Sequence, residues 1–308
     1  MSLNEDRRVA DSLPTSWVDR APEALRPFLR LARYDRPIGF WLLAIPCWQG
    51  LLLARAGGGL NVDDLLYALL FGIGAVAMRG AGCTYNDIVD RDLDARVERT
   101  ADRPLAAGTV SLKAAWAFLV AQSLVGLIVL VQLPLIAIGV GLAALLLVAG
   151  YPFMKRITWW PQAWLGLTFN WGVLVAYAAV AGTIDAAALA LYASAIFWTL
   201  GYDTIYAHQD AEDDALVGVR STARLFGEQS RHWIAGFYGA SAILAAIAGV
   251  LAGVSAWFAA GFAIYACHLF DQIRRLDPRD GAACLTLFKA NRLTGFFLIG
   301  ALFMGAVF

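Results

Sequence analysis

The sequence predicts an all-α, polytopic membrane protein. Hydrophobic residues make up 60% of the 308-residue chain and mean hydropathy is +0.62, too apolar for a soluble domain. The apolar residues fall into nine runs close to membrane-crossing length. The basic residues collect in alternate connecting segments, as positive-inside topology requires.

Residues 1–36 read as an N-terminal cytoplasmic or interfacial segment, and residues 37–308 as a nine-helix transmembrane domain. The first segment holds seven arginines and no unbroken apolar stretch, so no cleavable signal peptide is expected. Residues 1–20 read as a polar, partly disordered tail. Residues 22–33 read as a surface helix, with Leu25, Phe28, Leu29 and Ala32 toward lipid and arginines at the headgroups.

The nine segments lie near 38–54, 65–84, 112–131, 134–150, 162–182, 185–202, 232–252, 254–270 and 290–308. Leu133-Pro134, Gly182-Thr183-Ile184 and Ala252-Gly253-Val254 predict tight turns between neighbouring helices. With nine crossings, every one of the 24 basic residues except Arg55 lies on one face. That places the N-terminus in the cytoplasm and the C-terminus outside. Net charge is zero, which gives no footprint for nucleic acid. The four cysteines, Cys47, Cys83, Cys267 and Cys284, form neither a CxxC pair nor a zinc spacing, and no disulfide is expected.

Two acidic clusters stand at span ends on the basic, cytoplasmic face. The first is Asn86-Asp87-Ile88-Val89-Asp90-Arg91-Asp92-Leu93-Asp94; the second comprises Asp203, Asp210, Glu212, Asp213 and Asp214. They follow the second and sixth segments, four helices apart, and so open in the same direction. Carboxylates this dense repel one another and resist leaving water. A hard divalent cation resolves both problems, since Mg²⁺ takes oxygen ligands, keeps waters and is completed by substrate phosphates. Asn86, Asp90 and Asp94 are spaced i, i+4, i+8, and Asp210 and Asp214 i, i+4, so a helix would present each set on one face.

Arg79 lies two helical turns before Asn86 inside an apolar run, where a cation is costly and usually functional. Its expected partner is a phosphate oxygen or an acidic ligand. Lys155 and Arg156 end the fourth segment, either as positive-inside anchors or as an anion clamp, and Arg36-Pro37 and Arg103-Pro104 carry the same two readings. His208 reads as a pocket or surface residue. Tyr85, Tyr202 and Tyr206 stand near the motifs. Asp63, Asp64 and Asp185 fall on the opposite face and read as solvated turn residues.

At these residues the chain resembles the membrane-embedded aromatic prenyltransferases. Asn86, Asp87, Asp90 and Asp94 match the family pattern NDxxDxxxD, followed by the similar stretch Arg99-Thr100-Ala101-Asp102-Arg103-Pro104-Leu105. The second motif matches at Gly201-Tyr202-Asp203-Thr204, Tyr206-Ala207, Asp210 and Asp213-Asp214, continuing through Arg220-Ser221-Thr222-Ala223. Arg36-Pro37-Ile38-Gly39 and Tyr151-Pro152-Phe153-Met154-Lys155-Arg156 add to the likeness, and the latter is most similar to the 4-hydroxybenzoate polyprenyltransferases of ubiquinone synthesis. Asp92 departs from the pattern as an extra acid at a variable position.

The resemblance implies nine helices around a central cavity that opens sideways to membrane lipid. It implies Mg²⁺-dependent transfer of a polyprenyl group from its diphosphate to the carbon ortho to the hydroxyl of 4-hydroxybenzoate. Asn86, Asp87, Asp90, Asp94, Asp210 and Asp214 would hold metal, with Arg79 and Lys155 stabilising the leaving diphosphate. Asp203 or Asp210 would take a proton. Arg156, Arg36, Arg103 and Tyr151 would bind substrate, Arg156 gripping the carboxylate as a two-pronged fork. A bacterial inner membrane is the expected location, with no obligate protein partner. The alternatives are another aromatic acceptor, or a cation-coupled transporter; a transporter would place its acids near the bilayer midplane. A CDP-alcohol phosphotransferase would gather its acids in one compact cluster, whereas these are split by over a hundred residues.

Overall fold

The computed structural model describes residues 15–96, 100–209 and 218–308. The described residues contain helices, turns and bends and no strand. The chain divides into two compact units, Met1–Trp41 with Ile73–Val129, and Leu42–Gly72 with Leu130–Phe308.

In the first unit a short 3-10 turn, Trp17–Arg20, is closed by a reciprocal cap: Ser16 Oγ accepts from Val18 N, and Asp19 accepts from Ser16 N at 2.9 Å. The structureless tail expected over 1–20 is therefore corrected for residues 17–20; residues 1–14 lie outside the described residues. Helix α1 (Arg26–Leu31) differs from the surface helix expected over 22–33. Leu25 is exposed, but Leu31 and Ala32 are fully buried. Phe28 packs edge-on against Phe118 with ring centroids 5.3 Å apart, and Leu31 joins Leu105, Val110 and Ala115 in a core cluster. Protein covers the Phe28 and Ala32 part of that face, while Leu25 is left open. Arg26 and Arg30 bond Ala21 O and Asp19, within the same segment.

Helix α2 (Ile38–Ala54) matches the first predicted segment. Helix α3 (Asp63–Asp94) outruns the second by ten residues and carries the whole first acidic motif. Helices α4 (Leu112–Leu130) and α5 (Leu135–Ile157) follow, with the expected turn at Pro134. The fifth segment is two helices, α6 (Pro161–Phe169) and α7 (Gly172–Ala181). Asn170 causes the break: its buried Nδ2 donates to Gly166 O at 2.8 Å and to Thr199 Oγ1 at 2.7 Å, competing with the helical ladder. Helix α8 (Ala186–Ala207) ends at the second acidic stretch. A short α9 (Thr222–Phe226) leads into α10 (Ser230–Ala252), then α11 (Trp257–Arg275) and α12 (Gly281–Val307). Gly182 and Gly253 take the left-handed conformation at the predicted turns, with φ of 68° and 72°.

Six helical stretches among the described residues are long and apolar enough to cross a membrane: α3, α4, α5, Pro161–Ala181, Thr222–Ala252 and α12. The other three predicted segments coincide with helices α2, α8 and α11. In the second unit, helix α8 packs most extensively on α10, and α11 on α12. Small residues allow this closeness, since a Cβ at Gly261 would lie 2.6 Å from Ala301 Cα. A neutral polar network ties the same helices. Asn291 Oδ1 accepts from Trp198 Nε1 at 2.8 Å and from Tyr238 OH at 3.3 Å. Asn291 Nδ2 donates to Gln272 Oε1 at 2.9 Å, and Gln272 Nε2 donates to Thr294 Oγ1 at 2.8 Å.

Candidate active site

The last two turns of α3 build the first half of the candidate site. At about 100° per residue, Asn86, Asp90 and Asp94 advance around the helix in roughly 40° steps, and Asp87 falls beside Asp94. Asp87, Asp90 and Asp94 are all buried, whereas Asp92 is 80% exposed and bonds only its neighbour Arg91 among the described residues.

Two arginines from other segments meet this acidic face. Arg33 Nη2 donates to Asp87 Oδ1 at 2.7 Å. Arg103 Nη1 donates to the same oxygen at 3.3 Å and to Asp94 Oδ2 at 2.8 Å. Burial works against the Arg33 charge, but Asp87 and the neighbouring Cys83 and Asp35 outweigh it and hold the guanidinium above its ordinary range. The 100–103 loop is fastened to the helix end by Thr100 Oγ1 donating to Asp94 O at 2.9 Å. Arg79 lies against Gly39 at the start of α2, where a Cβ would strike the guanidinium. Arg36 pairs with Asp35 at 3.5 Å.

In the second unit, α8 ends with Tyr202, Asp203 and Tyr206. Tyr202 is buried, its hydroxyl accepting from Thr199 Oγ1 at 3.1 Å and its ring 5.1 Å from Trp198. Tyr206 packs on Phe288 with centroids 4.6 Å apart. Asp203 is partly buried. Asp210 and Asp214, with Glu212 and Asp213, lie outside the described residues. His208 follows α8; burial lowers its pKa, and its buried Nε2 has no hydrogen-bond partner among the described residues. The end of α5 presents Tyr151, Lys155 and an exposed Arg156. Arg220 N donates to Lys155 O at 3.1 Å, while Arg220 and Arg224 stand over the Trp159 ring at 5.8 and 5.4 Å. Thr222 Oγ1 meets Thr204 Oγ1 at 2.6 Å, clipping α9 to the end of α8.

Of the three acids expected on the opposite face, Asp64 and Asp185 are not simple solvated turn residues. Asp64 is buried and accepts from Arg55 Nη2 at 2.7 Å and Asn61 N at 2.7 Å. Asp185 caps α8 through Ala187 N at 2.9 Å and accepts from Tyr177 OH at 2.7 Å. Asp63 alone of the three fits the expectation, being exposed with no such bond among the described residues. All four cysteines are free.

The donor set at the end of α3 is oxygen only, which suits Mg²⁺ rather than a softer metal. Among the described residues no three His, Cys, Asp or Glu side chains are grouped to hold a metal unaided. Mg²⁺ characteristically relies on one or two carboxylates plus substrate phosphates, so the residues present fit it. Sequence reasoning missed Arg33, whose one signal is its place just before Arg36-Pro37-Ile38-Gly39. It also gave no separate role to Thr204 or Thr222.

Fold and site define a helical membrane protein with an acidic, oxygen-ligand site at a span end. The model of the UbiA prenyltransferase family matches residues 43–301, and the chain belongs to that family. It is 47% identical over 292 residues to the mitochondrial 4-hydroxybenzoate polyprenyltransferase of Rattus norvegicus, covering 94% of this chain and 78% of that protein. The Homo sapiens enzyme of the same name is 45% identical over 289 residues, covering 94% and 77%. Among solved structures, the apo UbiA homolog from Aeropyrum pernix K1 superposes with a TM-score of 0.71 at 27% identity, covering 85% of this chain and 96% of that one. The Archaeoglobus fulgidus homolog bound to GPP and Mg²⁺ shares the fold, with a TM-score of 0.65 at 20% identity over 89% and 99% of the chains.

Proposed function

We propose that this protein transfers a polyprenyl group from polyprenyl diphosphate to the carbon ortho to the hydroxyl of 4-hydroxybenzoate, with Mg²⁺ as cofactor. The observation that carries the reading is the buried row of oxygen donors at the end of α3, in a chain 47% identical to an enzyme of that name. Asn86, Asp90 and Asp94 would hold Mg²⁺, with Asp210 and Asp214 supplying further carboxylates. Bound Mg²⁺ would neutralise the diphosphate and make it a better leaving group.

The protein's own groups do the rest. Arg79 and Lys155 add positive charge where the diphosphate leaves. Arg36 and Arg103 complete the anion-binding set. As the allylic C–O bond breaks, the electron pair departs with diphosphate, and tyrosine and tryptophan ring faces stabilise the cation. Arg156 and Tyr151 orient the aromatic acid so that its ring carbon forms the new C–C bond. Asp203 or Asp210 removes the ring proton. Nine helices cross the membrane, with the N-terminus and both acidic motifs on the cytoplasmic side of a bacterial inner membrane.

The test supplies geranyl diphosphate with 4-hydroxybenzoate, then with related phenols, to protein in liposomes. A 3-prenyl-4-hydroxybenzoate product supports the reading. Transfer only to another phenol would replace the acceptor, and no diphosphate consumption by folded protein would overturn the enzyme reading.

A further inference from the structure

Arg33 is the one non-glycine residue with positive φ among the described residues, at 61°. It stands just past the end of α1 in a two-bond helix stop: Arg33 N donates to Arg30 O at 3.0 Å and Tyr34 N to Leu29 O at 2.9 Å. Glycine is the usual residue at that position, because a side chain there is strained. An arginine held in such a place implies that its side chain is needed. The guanidinium makes three contacts. Nη1 donates to Arg30 O at 3.2 Å and Leu31 O at 3.3 Å, and Nη2 to Asp87 Oδ1 at 2.7 Å. Helix end and acidic motif are thereby bound through one planar group.

Asp87 receives two guanidinium groups on one oxygen, and Arg103 continues from it to Asp94. Asp87 Oδ2 and Arg103 Nε are buried without hydrogen-bond partners among the described residues. That unused pair would let the Arg103 fork close on Asp87 when Asp94 is engaged elsewhere.

We propose that Asp87 is not a metal ligand but the anchor of the first acidic motif, and that Arg33 is a positioning residue that acts through it. The inference rests on the Mg²⁺–diphosphate reading of the same site. Arg33 and Asp87 fix the last turns of α3, so that Asn86, Asp90 and Asp94 are presented together, much as outer residues orient metal ligands.

The test compares Arg33→Gly, Arg33→Lys, Asp87→Asn, the Arg33→Gly/Asp87→Asn double variant and Asp90→Asn in detergent. Melting temperature is read in EDTA; kcat, both KM values and the Mg²⁺ concentration for half-maximal rate are read with substrates. Arg33→Gly suits the backbone conformation, so a residue serving only the turn would give unchanged melting and unchanged kcat. The anchor role predicts a kcat loss of about 10- to 100-fold, with KM for the aromatic acid little changed and partial recovery in Arg33→Lys. Half-maximal Mg²⁺ should move far less in Arg33→Gly and Asp87→Asn than in Asp90→Asn. In EDTA the double variant should melt no lower than the worse single, because both remove one interaction. Additive melting losses, or Asp87→Asn raising the Mg²⁺ requirement as Asp90→Asn does, would overturn the inference. Absence of Mg²⁺-dependent transfer in the unaltered protein would instead overturn the proposed function, and the metal-free melting cycle would still decide the anchor.

Discussion

Two buried polar assemblies in this molecule differ in charge and in what they accomplish. At the end of α3, Asp87, Asp94, Arg33 and Arg103 form an ionic cluster. In the packing of α8, α10, α11 and α12, Trp198, Tyr238, Gln272, Asn291 and Thr294 form a neutral one. Amides and hydroxyls satisfy each other fully and hold apolar helices in register at low desolvation cost. Carboxylates and guanidiniums in the same surroundings carry a far larger penalty, and a fold keeps them where charge is used. The neutral cluster holds helices together, whereas the ionic cluster belongs to the proposed site.

Substitutions should separate the two. Among substitutions that leave the proposed metal ligands intact, the largest effect is expected at Asp203: Asp203→Asn should lower kcat by about 10²- to 10⁴-fold with the melting temperature held, as measured by product formation and scanning fluorimetry. A smaller change should follow Arg156→Ala, with KM for 4-hydroxybenzoate rising about tenfold or more while KM for the diphosphate stays put. Asn291→Leu inverts the pattern. It strands the Trp198 N–H and should cost about 1–3 kcal/mol of stability while the turnover of folded protein is retained. If Asn291→Leu abolished turnover in folded protein, the neutral network would be part of the site and the contrast would fail. The smallest effect on turnover belongs to the Arg55–Asp64 pair, where Asp64→Asn weakens a buried, hydrogen-bonded carboxylate and should cost about 1–3 kcal/mol of stability while leaving both KM values unchanged.

The all-helical architecture and the six stretches long and apolar enough to cross a membrane were legible in the sequence because hydropathy is a local property. Hydropathy ends the second segment near 84; the i, i+4, i+8 pattern at Asn86, Asp90 and Asp94 is the signal that carries the helix on to Asp94. Partnerships across the chain were not legible. Arg33 and Asp87 are 54 residues apart, and the arginine resembles any other in a basic N-terminal segment. The break at Asn170 escaped because one polar side chain among apolar ones leaves the hydropathy of the segment almost unchanged. The early start of α12 escaped for the opposite reason. Lys289, Asn291 and Arg292 look like loop residues until Asn291 is seen inside the polar network.

The most direct measurement is prenyl diphosphate consumption by the reconstituted protein and its Asp90→Ala variant across a Mg²⁺ titration, with an EDTA control. The account predicts Mg²⁺-dependent turnover that EDTA abolishes, and no turnover in the variant at any Mg²⁺ concentration while its melting temperature stays close to that of the unaltered protein. Near-normal turnover by Asp90→Ala, or turnover that persists in EDTA, would contradict the claim that the buried end of α3 is where the metal and diphosphate are held.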